Sequence, residues 1–153
     1  MPYTSSKNSL SEKDAQHHSP HRSQRVAAVG MEVVNAAKQV VQDELEAAIR
    51  RVSEKLPSDL DAEELRTFVS KDVDCQFWRT AQQRLHGDGP DFWHFVLVPC
   101  DAPNAFVTQM LPRRIFVTTG LLDLANNADE LALVMGHELS HLLLGHTTAR
   151  NKT

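Results

Sequence analysis

The stretch LALVMGHELSHLLL, residues 131–144, decides how this chain is read. It is apolar on nearly every side, yet it carries three ionisable groups, His137, Glu138 and His141. With about 3.6 residues per turn, His137 and His141 fall one turn apart on the same helical face. Two imidazole nitrogens so placed can both reach one zinc ion at about 2.0–2.1 Å. Glu138 is rotated about 100° from His137, close enough to act on a water at the metal without ligating it. Its expected role is general base: it takes a proton from the attacking water and passes it to a leaving amine. The competing reading is a pair of core histidines bonded to backbone, with Glu138 at the surface. The apolar setting argues against it, because three such groups are costly there unless paired or metal-bound.

Outward from this segment, the order of elements predicts an α+β fold. Residues 1–25 are rich in Ser, His, Lys and Gln and are expected to form a disordered polar tail. From residue 26 the chain is expected to form one folded region, residues 26–153, with three parts. Residues 26–86 are predicted helical. Val34, Ala37, Val41, Leu45, Ala48, Val52 and Leu56 form one stripe closed by Pro57. Asp61 and Glu64 make a capping-box pattern ahead of Leu65, Val69, Val73, Phe77, Ala81 and Leu85, which step by four. Residues 92–118 are predicted to form a small sheet, with strands at Phe92 to Val98, Asn104 to Met110 and Arg114 to Thr118. Asn127 and Glu130 then mark the start of a last helix, residues 127–146.

Composition narrows the function classes. The chain has 153 residues, 41% hydrophobic and 24% charged, with a net charge of -4. That balance argues against a nucleic-acid partner, which favours a basic face. Cys75 and Cys100 form no framework, and no secretory signal is visible, so free thiols in a reducing, intracellular compartment are expected. No apolar run approaches the roughly 20 residues needed to span a bilayer. Glu12 and Asp14, with few arginines, argue against a transit peptide. His17, His18 and His21 are a weak metal-binding tract better read as solvated tail. His94 is expected to be a strand histidine, Arg113 and Arg114 solvated, and Trp78 and Trp93 core or cleft-wall residues.

His146 follows His141 by five residues, about 140° further round the helix, and Gly145 is out of register for the metzincin pattern. It is therefore given no metal role. The blocks Pro103–Phe106, Arg114–Leu122, Asp129–Ala132 and Gly136–His141, ending in His146, resemble metallopeptidase family forty-eight. That family includes HtpX-like, CAAX prenyl and Oma-like proteases, and the Oma-like branch is the nearer comparison. The resemblance implies a gluzincin-type zinc endopeptidase with one zinc ion. His137 and His141 would be ligands and Glu138 the catalytic base. Asn104, Ala105, Phe106 and Val107 would border the cleft, where a protein or peptide substrate adds as an extended strand. It also implies membrane association, mitochondrial or other, and a third ligand, a glutamate on a helix well downstream. After Glu138 this sequence contains no Asp or Glu. The expectation is thus a peptidase domain lacking its C-terminal part. The alternative is a truncated, inactive, peptidase-derived helical protein that binds partners through residues 26–85.

Overall fold

The computed structural model describes residues 20–87 and 92–145. Three helices come first: α1 (Pro20–Glu54), α2 (Ala62–Lys71) and α3 (Val73–His86). Strands β1 (His94–Val98), β2 (Ala105–Phe106) and β3 (Arg114–Thr118) follow, then helices α4 (Thr119–Leu124) and α5 (Ala128–Leu143). This is an α+β arrangement. The sheet order is β1-β3-β2, with β1 parallel and β2 antiparallel to β3. No described helix is long and apolar enough to cross a membrane.

Helix α1 is 35 residues long and starts at Pro20, ahead of the expected Val26. The added turn is tied down by Arg22, whose guanidinium donates to the Asp123 carboxylate on α4 and to the Thr119 carbonyl. Val26, Val29, Val34 and Val41 face one core with Ile115 and Val117 of β3 and Leu131, Met135 and Leu139 of α5. Each of these fully buried side chains stabilises the fold by about 1.5–3 kcal/mol relative to exposure. His17 and His18 of the His-rich tract lie outside the described residues.

The expected second helix is two helices. Asp72 leaves helical geometry, with ψ of 132°, and its carboxylate accepts from the Cys75 amide at 3.0 Å to cap α3. This local bond outcompetes continuation of α2. The break interrupts the expected stripe: Val69, Ala81 and Leu85 are buried as expected, while Val73 and Phe77 are exposed and Cys75 is buried in their place. The second strand is also shorter than expected, ending at Phe106. Beyond it Thr108 forms a turn, accepting from Met110 N through its hydroxyl and from Leu111 N through its carbonyl.

Candidate metal and catalytic site

Helix α5 begins where the sequence predicts. Asn127 Oδ1 accepts from Glu130 N at 2.9 Å, and the Glu130 carboxylate accepts from Asn126 N at 2.8 Å. The helix ends at Leu143, and Gly145 has a positive φ of 76°. At this end Arg84 of α3 donates to the Leu143 carbonyl at 2.8 Å, satisfying one of the last carbonyls of the helix. His146 lies outside the described residues.

Burial sorts the faces of α5. Leu131, Met135, Leu139 and Leu142 are buried against α1 and the sheet, and Glu138 is only 7% exposed. His137 is exposed and His141 half-buried. They share the uncovered side with Leu133 and Leu144, which are 76% and 47% exposed. The two imidazole rings meet edge to face, with Nε2 to Nε2 at 3.0 Å. One ligating atom from each of His137, Glu138 and His141 lies within 4.8 Å of the others. Two ligands about 2.0–2.1 Å from a tetrahedral ion sit roughly 3.3 Å apart, so this donor pair fits a zinc-sized cation. The Ser140 hydroxyl donates to the His137 carbonyl at 2.6 Å and takes no part in the cluster.

Strand β2 runs over α5 at the open edge of the sheet. Thr118 N donates to Asn104 O at 2.9 Å. Alternation along an antiparallel pair therefore turns the N–H and C=O of Ala105 away from β3, toward the free edge. The side chains of Ala105 and Val107 are buried, whereas Asn104 is exposed and Phe106 lies flat on Phe116 with ring centroids 4.8 Å apart. The backbone of this segment, rather than its side chains, is what an extended ligand would meet.

Two threonines, unremarked in the sequence beyond their place in a family block, hold that edge. The Thr118 hydroxyl accepts from Asn104 N at 2.9 Å and Leu121 N at 3.2 Å, and donates to Ala102 O at 2.7 Å. Thr119 Oγ1 bonds the backbone of Cys100. His94 sits at the start of β1 against Phe92 and outside the His-Glu-His cluster. Arg113 and Arg114 are half-buried rather than solvated. Trp93 is buried and donates to Leu85 O at 3.0 Å, and Trp78 packs at the edge of both core clusters.

Two histidines one turn apart on a helix, with a glutamate next to the first, match the H-E-x-x-H metal-binding pattern. Peptidase family M48 matches residues 69–152, more than half of the chain, and the chain belongs to that family. It is 37% identical over 79 positions to the "Protease HtpX homolog" of Lactobacillus acidophilus, covering 40% of this chain and 26% of that protein. The same identity and coverage hold for the "Protease HtpX homolog" of Lactobacillus helveticus. The one of Thermococcus kodakarensis is 46% identical over 48 positions, covering 30% of this chain and 16% of that protein. The chain thus matches about a quarter or less of the length of these relatives.

Proposed function

We propose that this chain carries the catalytic helix of a zinc metalloendopeptidase. The observation that carries the reading is the convergence of His137 Nε2 and His141 Nε2 at 3.0 Å, with the Glu138 carboxylate inside the same cluster. His137 and His141 would hold the zinc ion, which when bound would supply Lewis acidity toward a scissile carbonyl. Glu138 takes a proton from the attacking water and delivers it to the leaving nitrogen. An extended peptide or protein substrate pairs with the outward N–H and C=O of Ala105, so that Asn104 to Val107 form one wall of the cleft. A third ligand of the kind a gluzincin site uses would approach on the open side of α5, around Leu133 and Leu144. Residues 26–153 then form part of one peptidase domain, and membrane association follows from the family rather than from any helix described here.

The test compares zinc content of the purified chain with that of the His137→Ala, His141→Ala double variant. A peptide-hydrolysis assay on parent and Glu138→Gln follows. Zinc lost in the double variant, and hydrolysis abolished by Glu138→Gln, is the expected result. Zinc binding equal in parent and double variant overturns it, and leaves a non-catalytic helical protein that binds partners through residues 26–85.

A further inference from the structure

A second recess opens beside the candidate site. It has a volume of about 410 Å³, and Arg84, Gly87, Gln109, Arg113 and Leu142 help to line it. Two of its walls belong to the elements already assigned to substrate: Leu142 follows His141 on α5, and Gln109 lies in the segment that leaves β2. Its charge is one-sided. Among the described residues, no Asp or Glu lines the recess and no carboxylate pairs with Arg84 or Arg113. Arg84 spends one nitrogen on the Leu143 carbonyl.

Arg113 is held in place by an uncommon backbone. Its φ of 57° makes it the one described residue other than glycine at positive φ. Its carbonyl accepts from His94 N at 2.9 Å, which ties that conformation to the first strand. The guanidinium then lies over Gly87, where any side chain would collide with it. A left-handed arginine kept half-buried without a counter-ion among the described residues is a candidate for function, because the surroundings must compensate both the backbone and the charge. Two planar guanidinium groups with nitrogens to spare suit a carboxylate.

We propose that this recess is an anion subsite that receives a carboxylate of an extended peptide lying along β2. The identity of the ligand rests on the peptidase reading above; the charge selectivity does not. The carboxylate can come from an acidic side chain or from a peptide C-terminus, and peptide chemistry separates the two.

The experiment measures binding of fluorescently labelled peptides to the chain. Twin peptides differ by Glu or Gln at one position, scanned along the sequence, with free or amidated C-termini. At one position, or at the free C-terminus, the carboxylate form should bind about tenfold tighter, the scale of one charge-assisted hydrogen bond. A preference that persists after amidation identifies the side chain; one abolished by amidation identifies the C-terminus. Arg113→Gly keeps the left-handed backbone without strain, so it folds, and it should remove the preference while leaving the neutral peptide's affinity unchanged. Equal affinity of twins at every position, or a preference that survives both Arg113→Gly and Arg84→Gln, overturns the subsite. Glu138→Gln, assayed in parallel, separates the two ideas. Hydrolysis that depends on Glu138 without any charge preference sinks the subsite alone. A charge preference without hydrolysis sinks the peptidase reading alone.

Discussion

The hydroxyl of Thr118, the residue that caps α4, lies 2.9 Å from the amide nitrogen of Asn104, the residue that leads into β2. One side chain therefore joins the end of β3, the start of a helix and the edge strand over the candidate site. Thr118→Val keeps the shape and removes the hydroxyl. It leaves Asn104 N, Leu121 N and Ala102 O short of a partner, and should cost about 1–3 kcal/mol in chemical denaturation. Unchanged stability would mean that water takes over these bonds, and β2 is then held by its backbone pairing alone.

Gly120 makes the same junction possible by close approach. Its amide donates to Cys100 O at 2.9 Å, and a Cβ there would fall on the Asp101 carbonyl oxygen. Backbone cannot swing aside as a long side chain can. Gly120→Ala should therefore destabilise by about 1–3 kcal/mol, read as a lower melting temperature. A variant as stable as the parent would show that the 100–104 connection shifts freely.

The two cysteines should differ in reactivity. Cys75 is buried at the base of α3, and burial pushes its thiol up, away from the reactive thiolate. Cys100 is exposed. A disulfide reagent should titrate one thiol in the native chain and two in denaturant, with Cys100→Ser abolishing the native reaction. Reaction of both thiols at one rate under native conditions would contradict the burial of Cys75.

Acid should loosen the start of α5. The Asn126 backbone N–H, and then its side chain, hold the Glu130 carboxyl below its ordinary value of 4.5. Because the folded value is the lower one, this contribution to stability is full above 4.5 and disappears as pH falls through the folded value. Asp72 shifts in the same direction, chiefly through the Cys75 amide. The melting temperature should fall between about pH 5 and pH 3, and less steeply in Glu130→Gln. Parallel pH profiles for the two proteins would remove Glu130 from the account.

What the residues disclosed, and what they hid, follows from the range of the forces involved. The start of α5 was legible because Asn127 and Glu130 act within one turn. His137 and His141 were legible as a pair because helical spacing alone puts them on one face. The break at Asp72 was not, because Val73 and Phe77 continue the apolar step across it, and only the cap to Cys75 N decides the register. The strand order β1-β3-β2 and the recess between Arg84 and Arg113 were hidden as well. Both depend on contacts between segments far apart in the chain, for which no local pattern exists.

The long first helix has a consequence for biosynthesis. Arg22 meets Asp123, 101 residues later in the chain, and the valines of α1 share their core with Leu131, Met135 and Leu139. At about 5–20 residues per second, a ribosome finishes α1 some 4–17 seconds before it makes the leucines and methionine of α5. During that interval a row of valines stands bare on a nascent helix about 52 Å long. Whatever shields that helix at the ribosome exit, a holdase or the ribosome surface itself, governs how much of the chain reaches its native state.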